Sequence, residues 1–146
     1  MFISQTKDVS ADTLSFIAKK AYSHYINEIG RAPAPMVADY EQHLREDIIF
    51  TVKISQKVVG FAIIQQKDDG YWLETIAVLP DYSRQGIGSR LIDQIETYLL
   101  PLTTHYQLYT NEAMREAQNW YVKLGFQETD RRLCDGFQRI YYRKEL

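Results

Sequence analysis

Cysteine is almost absent from this chain. Cys134 stands alone among 146 residues, so no internal disulfide can form, and a reducing, cytoplasmic setting is the expected compartment. Metal-ligand spacing is missing too. His24, His43 and His105 are scattered, and no metal site is expected. No apolar run is long enough to span a bilayer, and the first residues lack the charged-then-apolar pattern of a secretory leader, so no membrane association is expected. Neither sign of charge dominates. Seventeen Lys and Arg face nineteen Asp and Glu, a net charge of −2, which argues against a nucleic-acid partner. There is no low-complexity run, repeat or linker. Residues 1–146, 45% of them apolar, therefore read as a single domain with one core.

What is present is periodic. "FISQTK" reads as a short opening strand. Leu14, Ile17, Ala18, Ala21, Tyr22, Tyr25, Ile26 and Ile29 recur at helical spacing. They predict one amphipathic helix, with Ser10 as N-cap and Gly30 just past its end. "APAP" (32–35) breaks the chain, and a second helix is expected from Met36 to Arg45. "IIFTVKI", "VVGFAIIQQ" and "YWLETIAVL" then read as three strands joined by short turns, hence an antiparallel meander. Ile87, Leu91, Ile92, Ile95, Tyr98 and Leu99 form another apolar helical face, stopped by Pro101. "THYQLYT" follows as a strand, which makes a parallel crossover. A helix from Glu112 to Leu124 ends at Gly125, and a last hairpin turns at "CDG". Cys134 therefore sits at a hairpin tip and does not read as a nucleophile. The predicted order is β-α-α-β-β-β-α-β-α-β-β, a mixed sheet with helices, α/β or α+β in class.

The stretch "SRQGIGS" (83–89) lies between the third strand of the meander and its helix. A helix N-terminus leaves backbone N–H groups unpaired and carries partial positive charge, which suits phosphate oxygens. Glycine lets backbone approach a ligand closely, and Arg84 could add a charge-assisted contact. Taken alone, Gly86 and Gly88 could equally do no more than shape the turn. The full dinucleotide fingerprint and the ATP-loop signature are both missing.

With its neighbours the stretch resembles the GNAT superfamily, the Gcn5-related N-acetyltransferases. "ETIAVLPDYSRQGIGSRLI" is similar to that family's strand, pyrophosphate loop and helix, whose loop is written [Q/R]-x-x-G-x-[G/A]. Gly86 and Gly88 match the last two positions. The first is Ser83, where Arg or Gln is usual, with Arg84 and Gln85 beside it. "NWYVKLGF" (119–126) resembles the family's "xLYxKLGF", which puts Tyr121 in the tyrosine position. The resemblance implies a GNAT-like sheet with a splayed parallel pair, here Tyr71–Leu79 and Thr104–Thr110. It implies acetyl-CoA as co-substrate and direct transfer to a primary amine in a ternary complex. The pantetheine arm would lie against Ile76, Ala77 and Val78. The pyrophosphate would sit on Arg84, Gln85, Gly86, Ile87, Gly88 and Ser89.

Two side chains carry the implied chemistry. Tyr121 would hydrogen-bond or protonate the departing thiolate; as one of eleven tyrosines it could equally be core. Glu74 lies in a mostly apolar strand, where alternation puts it on one face with Trp72, Ile76 and Val78. It could serve as the base that deprotonates the amine, or equally pair with a cation on a neighbouring strand or face solvent. A backbone N–H near Ile76 to Val78 is the expected oxyanion donor. Met114 occupies the position seven before the tyrosine where the family often has asparagine. Asn111 and Asn119 read as capping or surface residues.

The acceptor end is expected between the first two helices, the "GRAPAPM" loop and the last hairpin. Tyr22, Tyr25, Met36 and Tyr40 read as core, with some of them walling the pocket. Glu28, Asp39, Glu41, Glu46 and Asp47 read as a solvated face. The acceptor itself stays open: small molecule, peptide or protein. A different acyl-CoA, or a CoA-binding or protein-interaction module without turnover, are the alternative readings. A homodimer is the default assembly.

Overall fold

In the computed structural model, which describes residues 1–146, seven strands form one sheet in the order β1-β2-β3-β4-β5-β7-β6. The strands are β1 (Phe2–Gln5), β2 (Ile48–Ile54), β3 (Lys57–Lys67), β4 (Gly70–Val78), β5 (His105–Asn111), β6 (Gln127–Cys134) and β7 (Phe137–Glu145). The meander expected from alternation is there: β2, β3 and β4 pair antiparallel in sequence order. The turn between β2 and β3 is two residues, Ser55 and Gln56, both with positive φ, which matches the twist of a tight hairpin. β1 joins the outer edge, and β5, β7 and β6 complete the other half.

Helices cover both faces. Phe61 on β3 packs edge-on against Tyr40 of α3 (Tyr40–Glu46), with ring centroids 5.7 Å apart. Phe50 on β2 lies one residue out of phase with Thr51, the partner of Phe61. It therefore faces the opposite side, where it meets Tyr98 of α4 (Ile87–Leu99) at 5.7 Å. A cluster of 27 buried residues fills the two layers. No helix is long and apolar enough to cross a membrane.

The first helix departs from its periodic expectation. α1 runs from Ala11 to Tyr22 with Ser10 as its N-cap, accepting from the Thr13 N–H at 3.1 Å. A 3₁₀ turn over Ser23–Tyr25 then interrupts it, and α2 covers only Ile26–Ile29. Gly30 ends it in the left-handed conformation at φ 88°. The tighter turn swings Ile26 into solvent and leaves Tyr25 and Ile29 buried in a small second cluster with Met114. The next helix starts at Tyr40, four residues later than expected. Met36 lies in a separate 3₁₀ turn, and Asp39 caps the helix through the Gln42 N–H. α5 (Arg115–Lys123) likewise begins three residues after Glu112.

Candidate functional site

β4 and β5 run parallel but share one paired position, Trp72 with Gln107. Beyond it the strands diverge, leaving a V with polar backbone on its walls. Leu79 donates its N–H to the Val59 carbonyl on β3 at 2.8 Å. By alternation Ala77 also spends its polar groups on β3, while those of Ile76 and Val78 point into the V. Tyr22 of α1 reaches across and donates its hydroxyl to the Ile76 carbonyl at 2.7 Å. Of the three β4 residues expected to pair with a ligand backbone, Ala77 thus offers a wall and not a hydrogen bond.

A β-bulge lies at the point where the V opens. Ile63 pairs with Thr75 and Ile64 with Leu73, so Glu74 has no partner on β3. The bulge overturns the simple alternation expected for Glu74. Trp72 stacks edge-on with Tyr109 and Tyr141, whereas Ile76 joins the main core. The half-buried Glu74 side chain lines a small cavity of about 170 Å³. That cavity is walled by Pro33 and Pro35 of the loop after Gly30, by Tyr109 and Thr110 on β5, and by Phe137 and Arg139 on β7. The "GRAPAPM" loop and the last hairpin therefore meet there, as their place in the sequence suggests. Glu74 takes part in none of the five ion pairs of the chain.

A second, larger cleft of about 690 Å³ lies on the α4 side of the V. Eight of the nine residues expected to hold the co-substrate line it: Ile76, Ala77, Val78, Arg84, Gly86, Ile87, Gly88 and Ser89. Gln85 is exposed and stands outside it. The turn is built for exposed N–H groups. Arg84 and Gly86 take positive φ, 62° and 77°, and Gly86 caps α4 without a side-chain acceptor. The next intrahelical bond is Arg90 N–H to the Gly86 carbonyl. The N–H groups from Arg84 to Ser89, six in a row, have no backbone acceptor. Such a row at a helix N-terminus matches the oxygens of a pyrophosphate.

Tyr22, Met114 and Tyr121 line both cavities. Tyr121, on α5, is buried, and burial followed by the neighbouring phenols of Tyr22, Tyr25 and Tyr142 pushes its pKa well above the ordinary tyrosine range. It stays protonated and available as a donor. Tyr25 behaves in the same way, pushed up to about 12 by burial and then by Glu116 and Glu28. Met114 closes the floor, where the Thr110 hydroxyl lies 3.7 Å from its sulfur. Asn111 accepts from the Ala113 N–H at 2.8 Å, closing the turn ahead of α5, whose N-cap is Met114 without a side-chain bond.

Sequence reasoning passed over Tyr109, Arg139 and Arg31, and set Cys134 aside. Arg31 donates to the Asp135 carbonyl at 3.1 Å and lies over the Phe137 ring at 4.2 Å. It thereby pins the hairpin tip, Cys134 included, to the rim of the small cavity. These contacts join residues about a hundred positions apart. The one local signal was Arg139 in phase with Phe137 and Tyr141 on β7, a cation set into an aromatic stripe.

An acetyltransferase (GNAT) domain family matches residues 45–128, more than half of the chain. No curated protein sequence matches it. The fold is similar to the ribosomal-protein-S18-alanine N-acetyltransferase of Escherichia coli, with TM-score 0.79 and 23% identity, covering 99% of this chain and 92% of that one. It is similar to the PaiA N-acetyltransferase of Thermoplasma acidophilum in complex with coenzyme A, with TM-score 0.81 and 18% identity over 100% of both chains. It is also similar to a GNAT family acetyltransferase from Elizabethkingia anophelis with acetyl-CoA bound, with TM-score 0.73 and 16% identity, covering 99% and 97%. At these identities the likeness is one of fold, while the domain match is one of sequence. The chain belongs to the GNAT acetyltransferase family.

Proposed function

We propose that residues 1–146 form one N-acetyltransferase domain that moves an acetyl group from acetyl-CoA to a primary amine, by direct attack in a ternary complex. The observation that carries this reading is the meeting of two cavities at Tyr121, one with a row of free N–H groups and one with an unpaired carboxylate. The neighbours with bound CoA or acetyl-CoA support the choice of co-substrate.

Acetyl-CoA, when bound, supplies an acyl group activated as a thioester and a thiolate leaving group. The N–H groups of Arg84 to Ser89 receive its pyrophosphate, with the Arg84 side chain beside them. Ile76 and Val78 present backbone N–H groups toward the pantetheine arm and the reacting carbonyl oxygen. Glu74 takes the proton that an ammonium must lose before its nitrogen can attack. The new C–N bond forms as the C–S bond breaks, and that bond's electron pair stays on sulfur. Tyr121 donates a hydrogen bond to the sulfur as its charge grows. A thiol pKa near ~8.5 lies below a tyrosine pKa of ~10 or more, so the phenol keeps its proton. The proton that ends on sulfur comes from the acceptor nitrogen.

CoA release, measured with a panel of amines, tests this reading. Glu74→Gln is expected to lower kcat about a hundredfold, within the range for a general base, without weakening acetyl-CoA binding. Wild type that releases CoA with no amine in the panel would count against transfer.

A further inference from the structure

The small cavity holds two opposite charges that the protein leaves apart. Glu74 on β4 and Arg139 on β7 both line it. Both are half-buried. Neither enters an ion pair: the chain's five pairs are His43–Asp47, Arg131–Glu128, Arg132–Asp130, Arg143–Glu145 and Lys144–Glu96. The Arg139 guanidinium instead lies over the Tyr109 ring, 4.3 Å from its centroid. Tyr109 feels both charges. Burial raises its phenol pKa, Glu74 raises it further, and Arg139 lowers it.

The surroundings do not neutralise Arg139. Directly across on β6 its partner is Arg132, a like charge that disfavours the pairing. Arg132 has its own carboxylate, Asp130, at 2.6 Å. Two further charges stand at the rim. Arg31 is committed to the hairpin tip through the Asp135 carbonyl and the Phe137 ring. The Asp135 carboxylate is on the exposed turn, 4.0 Å from the Cys134 sulfur.

Holding a carboxylate and a guanidinium half out of water without counter-charges is unfavourable. A ligand bearing both an ammonium and an anion would relieve both sites at once. A plain diamine or polyamine would meet Arg139 as a like charge. Size points the same way. At about 170 Å³ the cavity is below the roughly 300–1,000 Å³ of pockets for drug-sized ligands.

Building on the acetyl-transfer reading, we propose that the acceptor is a small amine carrying a carboxylate, in the simplest case a free amino acid. Its amine lies at Glu74 and its carboxylate on Arg139. Arg139 is then the specificity-determining residue, its planar fork held by the Tyr109 ring in the manner that suits bidentate carboxylate binding.

The test measures CoA release by the full chain with acetyl-CoA and the common amino acids, each beside its carboxamide. Spermidine and a peptide amide with a free N-terminus are the acceptors without a carboxylate. Calorimetric titration with acetyl-CoA runs alongside. At least one free amino acid is expected to be acetylated with a kcat/KM about tenfold or more above its carboxamide, the scale of one charge-assisted hydrogen bond, with the difference lying in KM. Arg139→Gln is expected to collapse that ratio toward one, and Arg139→Lys to retain part of it. The wild-type ratio decides the matter if the glutamine variant fails to fold. Preference for carboxamides, spermidine or the peptide, by protein that binds acetyl-CoA, overturns the amino-acid acceptor and leaves acetyl transfer standing. Acetyl-CoA binding with no amino acid consumed also overturns the amino-acid acceptor, and if spermidine and the peptide are not consumed either it counts against acetyl transfer as well. Failure to bind acetyl-CoA overturns both.

Discussion

Gly88 is held against Trp120. A Cβ built on Gly88 would lie 3.0 Å from Trp120 Cζ2 and 3.2 Å from Cη2. The packing of α4 on α5 thus leaves little room for a side chain at the second glycine of the turn, quite apart from any ligand. Gly86 is different: a Cβ there meets nothing within 4 Å, but its φ is 77°. One glycine serves contact and the other serves conformation.

Alanine at position 88 separates contact from propensity. In wild type, Gly88→Ala is expected to destabilise the fold by about 1–3 kcal/mol, the cost of overpacking. In a Trp120→Ala background the same change should stabilise by about 0.5–1 kcal/mol, because the helix gains alanine and loses glycine. A double-mutant cycle by urea denaturation reads this reversal. Destabilisation of equal size in both backgrounds would contradict the contact.

Tyr121→Phe removes one hydroxyl from the junction of the two cavities and leaves the ring, which packs edge-on against Phe126. About a hundredfold loss of kcat is expected, within the range for removing one hydrogen-bond donor from a developing charge, with acetyl-CoA affinity little changed. Unaltered kcat would return Tyr121 to the status of a core residue.

Alkali should destabilise this protein through its buried phenols. Burial, ahead of any neighbour, raises Tyr22, Tyr40, Tyr106 and Tyr121 above the ordinary range, and Tyr106 is raised further by its hydrogen bond to Glu96 at 2.6 Å. Below pH ~10 folded and unfolded chains both keep these protons. Above it the unfolded chain loses them and the folded chain does not, so stability falls as pH rises, by about 1.4 kcal/mol per pH unit for each such tyrosine. Thermal melts between pH 8 and 11, read with tyrosinate absorbance, should show phenol ionisation appearing together with unfolding. Early ionisation in the folded state would sink this claim.

Thr51 is 1% exposed and its hydroxyl has no hydrogen-bond partner. Thr51→Val keeps the shape and removes the unpaired group. A gain of about 1 kcal/mol is expected, seen as a higher urea midpoint at constant slope. A loss would show that the hydroxyl is satisfied in solution.

Local pattern made much of this fold readable. Alternation in β2 and β3 and the spacing of Ile87 to Leu99 gave the right elements, because each buries one face against one layer. The same reasoning failed where a single residue breaks the period. The 3₁₀ turn at Ser23–Tyr25 keeps Tyr25 and Ile29 buried while releasing Ile26, and spacing alone cannot register that. The bulge at Glu74 is set by pairing with Ile63 and Ile64 on another strand. The pairing of Arg31 with the hairpin tip, and of Arg139 with Tyr109, exists only once β5, β6 and β7 are assembled. Loop and tyrosine motifs were legible because backbone conformation and helix ends are local, whereas the small cavity beside Glu74 is built from contacts distant in sequence.

Calorimetric titration with acetyl-CoA tests the central claim most directly, with Gly86→Glu as the comparison. A Cβ at position 86 meets open space, Gly86 itself is exposed, and the left-handed backbone costs a non-glycine residue about 1–2 kcal/mol. The account predicts saturable binding by wild type and binding at least about tenfold weaker, one charge-assisted contact or more, in a variant whose circular dichroism is native. No binding by wild type, or equal binding by both proteins, would contradict a pyrophosphate seat at Arg84 to Ser89.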